Sequence, residues 1–244
     1  MKKLGFTLAE VLIALGIIGV ISALSLPTFM SGVHNKTHAA KLAAAVSEYE
    51  NIFGMMLSRE NMVDLEDTEL GTAISSSNAS GINQAYAKYS KISSNSTSFS
   101  GLGYTGKGVM KNIQGSAVTD FSFISAIKSN SGAVIFFTGG ADNSQTEAQA
   151  VAVGAGANTK TSGIYIDVNG SESPNQYGRD VFAFVLGGNG VLYPYGSLTA
   201  SFLNKVSNNP VWTGTDSTYG CKSGTYNGLG CTSRLIEENY VMKY

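Results

Sequence analysis

The stretch FTLAEVLIALGIIGVISALSL, residues 6–26, decides how this chain is organised. It has about the 20 apolar residues that a helix needs to cross the hydrocarbon of a membrane, and it contains one acid, Glu10. Lys2 and Lys3 precede it, and by the positive-inside bias they keep the N-terminus in the cytoplasm. The stretch therefore predicts a membrane helix, with everything after Pro27 outside the cytoplasm.

Three interpretations of this helix compete. A secretory signal peptide would be cleaved near Ala23 or Ser25, after small residues, but Glu10 fits poorly in its apolar centre. A plain membrane anchor explains the length and leaves the acid unexplained, because an ionisable group inside a membrane usually faces a partner. The third interpretation supplies that partner.

The residues Gly5-Phe6-Thr7-Leu8-Ala9-Glu10 resemble the prepilin peptidase site of the type IV pilin family, which includes the pseudopilins of type II secretion. The resemblance implies a leader of residues 1–5, cleavage between Gly5 and Phe6, and N-methylation of Phe6. Gly19 and Pro27 also match the family, in which a Gly and a Pro flank the part of the helix that loosens in the filament.

Glu10 gains a role under this resemblance. Cleavage exposes a cationic amine at Phe6, and Glu10 of an adjacent subunit would neutralise it in apolar surroundings, where an unpaired charge is costly. Gly19 permits close helix contact, and Pro27 removes a backbone donor and bends or loosens the helix. We therefore predict Glu10, Gly19 and Pro27 as assembly residues.

The helix is predicted to continue outside the membrane, over residues 27–58. Apolar side chains recur there at spacings of three and four, the period of an amphipathic helix that lays one stripe on a sheet. The stripe consists of Leu42, Val46, Tyr49, Phe53 and Met56. His34 and His38 lie one turn apart, but no third ligand is evident, so we expect solvated residues and not a metal site.

Residues 59–244 are predicted to form one globular domain of the pilin kind. Apolar runs at 133–138, 164–168, 181–186 and 191–194 predict an antiparallel sheet of about four strands, and the last two form a hairpin across GGNG. With the long helix packed on this sheet, the fold class is α+β.

A Ser- and Asn-rich insertion is predicted at 71–132, between the long helix and the sheet. Within it, residues 82–92 favour a short helix, and DFSFISAI at 120–127 is compatible with a strand or a helix. The insertion is expected to be a loop-rich surface.

Cys221 and Cys231 are the only cysteines of the chain and enclose the Gly-rich stretch KSGTYNGLG. This stretch bends easily enough for the thiols to meet, so we predict a disulfide that pins the C-terminal region. Charged residues make up only 14% of the chain, a balance that also favours an extracytoplasmic protein.

The stretch DVNGSESPNQYGRD at 167–180 has two interpretations. Asp167, Asn169 and Ser171 alternate like the first ligands of a calcium loop, and Asp180 would close it, but no bidentate Glu stands at the EF-hand spacing. The alternative is a tight loop in which Asp167 and Asn169 cap backbone amides and Gly170 takes a positive φ. The stretch also resembles a segment that joins two strands in pilin-like subunits.

Catalysis and nucleic-acid binding are not expected. The chain has no G-x-S-x-G, no phosphate-binding loop and no cysteine flanked by a base, so no catalytic residues are assigned. Its formal net charge of −1 argues against a strongly basic nucleic-acid surface.

The leading hypothesis is a structural subunit, a pilin or pseudopilin, of a type IV-like filament. Its expected partners are other filament subunits, a prepilin peptidase and the bacterial inner membrane, from which it would pass into a periplasmic or cell-surface filament. The alternative is a minor or tip subunit that acts as an adhesin or ligand-binding module. No cofactor is expected apart from calcium in the first interpretation of the 167–180 loop.

Overall fold

One long helix and one antiparallel sheet dominate the chain. The computed structural model describes residues 7–105, 109–119, 121–138, 162–195, 221, 227–242 and 244. The helices are α1 (Leu8–Glu60), α2 (Glu69–Ser75), α3 (Ala79–Ala87) and α4 (Cys231–Glu237), with 3-10 turns at Leu65–Asp67 and Ser100–Leu102. The strands are β1 (Ile92–Ser96), β2 (Ser125–Ser129), β3 (Val134–Thr138), β4 (Ser162–Asp167), β5 (Val181–Leu186) and β6 (Leu192–Pro194).

Helix α1 is continuous over 53 residues, which corresponds to a length of about 80 Å. It passes through Pro27 without a break in the helix. Asn61 ends it by taking a left-handed conformation at φ 53°, and its N–H donates to the Leu57 carbonyl. The predicted continuation to about residue 58 is confirmed.

The outer half of α1 forms the centre of the main core. Leu42, Tyr49, Phe53 and Met56 are fully buried, and Val46 is partly buried against them. They share one cluster with apolar side chains of β3, β4 and β5. Because burial of each such side chain contributes about 1.5 to 3 kcal/mol, this stripe fixes the sheet on the helix.

The sheet is buried on both faces. In β3, Ile135 and Phe137 point towards α1, whereas Phe136 points to a second cluster that includes Phe99 and Tyr104. This alternation follows from the period of two in a strand. It explains why β5 reads VFAFVL without a polar residue: all of its side chains are buried.

The sheet has six strands in the order β1-β2-β3-β4-β5-β6, each antiparallel to the next, and not the four expected. The four predicted strands are β3 to β6, and the β5–β6 hairpin closes with Gly187 N–H donating to the Val191 carbonyl at 2.9 Å. The two further strands, β1 and β2, come from residues 71–132. Their sequences, ISSNS and SAIKS, lack a clear apolar alternation, so the pattern did not identify both as strands.

The two outermost strands of the described sheet are polar or short. The pairing of β1 with β2 is irregular between Ile92 and Ser94. Strand β6 has three residues and ends at Pro194.

The predicted disulfide is confirmed and holds the C-terminal helix in place. Cys221 and Cys231 are bonded, with their Cα atoms 4.6 Å apart, and both are buried. Arg234, on α4, donates to the Cys221 carbonyl at 3.1 Å. Gly178 lies against the disulfide, because a Cβ added there would be 2.6 Å from Cys231 Cβ and 2.7 Å from its Sγ.

Gly178→Ala is expected to lower the free energy of unfolding by about 2 to 4 kcal/mol, since it combines a positive φ with this clash. Gly115→Ala is the matched control: Gly115 has φ 86°, close to the 78° of Gly178, but no atom lies within 4 Å of its added Cβ. The control should lose only about 1 to 2 kcal/mol. Urea unfolding of the full chain in detergent measures both, and equal losses would show that packing on the disulfide contributes nothing.

Candidate functional site

The first part of helix α1 is an apolar surface without cover in the described part of the chain. From Leu8 to Leu24 its large side chains are exposed, and the window Leu8–Ser25 is long and apolar enough to cross a membrane. Water does not tolerate such a continuous apolar surface, whereas a bilayer does.

The single acid of this segment closes the first turn of the helix. Glu10 Oε2 accepts hydrogen bonds from the Thr7 N–H at 2.8 Å and from the Thr7 hydroxyl at 2.9 Å. The Thr7 hydroxyl in turn accepts from the Glu10 N–H at 3.3 Å. This reciprocal arrangement is a capping box, and it satisfies backbone donors that would otherwise be unpaired.

Sequence reasoning missed this intrachain role of Glu10. The signal was present as Thr7-Leu8-Ala9-Glu10, the T-x-x-E pattern of a capping box. Both Thr7 donors bind the same oxygen, and within the described residues Oε1 accepts no hydrogen bond. The carboxylate therefore retains an acceptor for a partner from another chain while it caps its own helix.

The helix surface around this acid includes positions where another helix fits closely. Gly16 and Gly19 have no atom within 4 Å of an added Cβ, so their faces are open. A neighbouring helix can approach closely at such positions. Pro27 lies farther along the same continuous helix.

The prokaryotic N-terminal methylation motif matches residues 1–26. This is a prepilin segment of the type IV pilin and pseudopilin kind. The motif belongs to chains that a prepilin peptidase processes and that assemble into filaments, and together with the apolar helix it indicates membrane anchoring. No curated protein and no solved structure matches the chain.

The prepilin segment extends beyond the described residues at its N-terminal end. Gly5 and Phe6, the predicted processing residues, lie there, so cleavage and methylation stay predictions. The motif overlaps the described helix from Leu8 to Leu24 and beyond, and the capping box of Thr7 and Glu10 begins the helix two residues after the predicted cleavage site.

A second polar cluster lies in the loop that joins β4 to β5, residues 168–180. The Asp167 carboxylate is buried and accepts from the Tyr104 hydroxyl at 2.8 Å and from the Asn169 N–H at 3.2 Å. The buried Asp180 carboxylate accepts from the N–H groups of Asn175 and Gln176, at 2.8 and 2.6 Å. Each of the four carboxylate oxygens thus has a protein donor.

Burial disfavours the charged form of both Asp167 and Asp180. Burial raises the pKa of Asp167 well above its usual range, and the nearby Asp180 carboxylate raises it further. Burial also raises the pKa of Asp180, although the N–H groups of Gln176 and Asn175 oppose this effect. Both side chains therefore gain from binding a proton or a cation.

The tight-loop interpretation accounts for much of this geometry. Asp167 caps the Asn169 amide, Gly170 takes φ 67°, and the Ser173–Pro174 peptide is cis. The acceptors around the Asn175 side chain assign its amide nitrogen to their side, in which orientation it donates to the Gly170 carbonyl at 3.0 Å and to the Glu172 carbonyl at 2.9 Å. The loop is held by its own hydrogen bonds.

The predicted calcium ligands fit a cation only in part. Asp167 and Asp180 are brought together, and Asn169 Oδ1 is buried without a hydrogen-bond partner in the described part of the chain. Ser171 lies beside the Gly103 backbone and makes no described hydrogen bond to either acid. No group of three or more His, Cys, Asp or Glu side chains within the described ranges is placed to hold a metal.

His34 and His38 differ in their surroundings. The His34 side chain is exposed, as expected, whereas His38 is half-buried, so the expectation of a solvated residue is wrong for His38. Burial lowers the pKa of His38, and the Asp180 carboxylate opposes this effect. His38 therefore faces the 168–180 loop from α1 and links the helix to it.

Calcium binding by Asp167, Asn169 and Asp180 stays a proposal, and it predicts a rise in the melting temperature of the full chain at millimolar Ca²⁺. The rise should be smaller at about pH 5 than at about pH 8, because the raised pKa of both carboxyls lets protons compete with the ion. Asp180→Asn should abolish the rise, and Glu172→Gln, an exposed acid of the same loop, should retain it. No calcium-dependent heat or melting shift would remove the proposal.

Proposed function

We propose that this protein is a structural subunit, a pilin or pseudopilin, of a type IV-like filament. It is stored in the bacterial inner membrane with its N-terminus in the cytoplasm and its sheet domain outside. A prepilin peptidase cleaves it between Gly5 and Phe6, and the mature chain joins a periplasmic or cell-surface filament through its N-terminal helix.

One observation supports this proposal most: the methylation motif lies at the start of a single helix whose two halves suit a membrane and a protein core. The first part of the helix is apolar and exposed, and the outer half is the centre of the domain core. Such a helix moves the domain and the membrane segment as one body. That is what extraction of a subunit into a filament requires.

No catalytic role is part of the proposal. The buried Asp167, at the end of β4, and Asp180, in the following loop, accept hydrogen bonds from Tyr104 and from backbone N–H groups, so these bonds serve the fold. The subunit acts by assembly and not by turnover.

The mature N-terminus tests the processing step. We expect mass spectrometry of the chain from its native membrane or filament to find N-methylated Phe6. Detection of an intact Met1, or of a terminus near Ala23, would overturn the proposal. The control is Gly5→Glu, which should leave the full-length chain uncleaved in the membrane.

Glu10→Val is expected to leave membrane insertion intact and to lower the yield of sheared filaments more than about tenfold, because the Phe6 amine loses its counter-charge in an apolar environment. Glu10→Gln removes the charge but keeps the capping box, since the Gln side-chain oxygen still accepts hydrogen bonds from Thr7. We expect Glu10→Gln to fail as Glu10→Val does. Normal filament yield from Glu10→Gln would show that capping, and not charge pairing, is the role of Glu10.

A further inference from the structure

The charges on helix α1 are separated by sign. Between Glu10 and Glu48 the chain contains no acid, and this region carries Lys36 and Lys41. From Glu48 to the end of the helix the charged residues are three acids and one Arg. The helix is thus basic next to the membrane and mainly acidic farther out.

The three outer acids differ in what they contact. Glu50 accepts from the Leu192 N–H at 3.0 Å, and Glu60 accepts from the Glu69 N–H at 2.8 Å. These two carboxylates hold the domain on the helix. Among the described residues, Glu48 accepts only a long hydrogen bond from the Ser131 hydroxyl, at 3.5 Å, so its charge is the least compensated of the three there.

Lys41 stands on the same side of the helix as Glu48. The two are seven residues apart, which places them two turns and about 10 Å apart along the axis and about 20° apart around it. Lys41 is exposed and makes no ion pair in the described part of the chain. Ala44, between them, is exposed and small, so a neighbouring helix can approach this side.

We propose that Lys41 of one subunit pairs with Glu48 of the next copy of this chain in the filament. This inference rests on the proposed function and adds a second contact to the pairing of Glu10 with the Phe6 amine. In both pairs the cation comes from a lower position in the sequence than the acid. Both therefore require the neighbour to be displaced along the axis in the same direction.

The two pairs are also compatible in distance. Phe6 and Glu10 are four residues apart, or about 6 Å along a helix, against about 10 Å for Lys41 and Glu48. One step of a helical filament displaces every residue by the same axial amount, and the flexible Lys and Glu side chains absorb a difference of about 4 Å. Lys41 and Glu48 are different residues displaced along the axis, so the contact is heterologous and stays open to further copies, as a filament requires.

A membrane surface suits Lys41 less well than a second copy does. Lys41 lies 16 residues beyond Ser25, the end of the apolar window, which is about 24 Å of helix. The headgroup layer is about 5 to 8 Å thick, and salt screens charges beyond about 10 Å. Anionic lipid is therefore out of reach of Lys41.

The test is a charge swap in the full chain, in cells that assemble its filaments. Lys41→Glu and Glu48→Lys should each lower the yield of sheared filaments roughly fivefold, since each places like charges opposite each other. The double variant, Lys41→Glu with Glu48→Lys, should return the yield to within about twofold of the original chain. Lys36→Glu is the matched control, because Lys36 is exposed on the other side of α1 and should have little effect.

The outcomes separate the pairing from the proposed function. Absence of filaments from the original chain would overturn both. Filaments from the original chain with no loss in either single variant, or with no rescue in the double variant, would overturn the pairing alone. An equal loss from Lys36→Glu and Lys41→Glu without rescue would point to a lipid surface instead. A melting temperature equal to that of the original chain shows, for each variant, that a lower filament yield is not caused by a folding defect.

Discussion

The structure depends on one helix that has to be stable in two different solvents. The first half of α1 finds no apolar partner in the described part of the chain, whereas the outer half is buried by the sheet. Because backbone hydrogen bonds inside a helix are satisfied by the helix itself, one continuous element can pass from hydrocarbon to a protein core without an unpaired donor. The other elements of the domain are arranged around that outer half.

The sheet domain uses polar contacts to set its position on this helix. Glu50 and Glu60 bind backbone N–H groups of β6 and α2, and His38 faces the loop between β4 and β5. These contacts are specific in direction, whereas the apolar stripe from Leu42 to Met56 supplies most of the stability. A domain held in this way keeps a fixed rotation about α1, so any charge on the outer side of the helix has a fixed direction in the subunit.

The parts of the fold with a strong period were predictable from the sequence. Apolar spacing predicts the outer part of the long helix and the four strands β3 to β6. The presence of only two cysteines predicts the disulfide. The polar strand β1 was not predictable, because an edge strand needs little apolar alternation and its partner decides its conformation. At the candidate site, Glu10 stands out as a single acid in an apolar helix, and the T-x-x-E pattern is the local signal for its hydrogen bonds to Thr7. Which groups meet in the 168–180 loop depends on long-range contacts such as Tyr104 with Asp167, which no local pattern reports.

The outer strands of the sheet limit how copies of this chain can associate. An open sheet edge with regular pairing groups is a template for further strands from other copies of the same chain. Within the described residues, the irregular pairing of β1 and the short β6, which ends at Pro194, leave little such template on either side of the sheet. For the filament subunit proposed above, this means that ordered growth through the helices would not compete with cross-β aggregation of the domains.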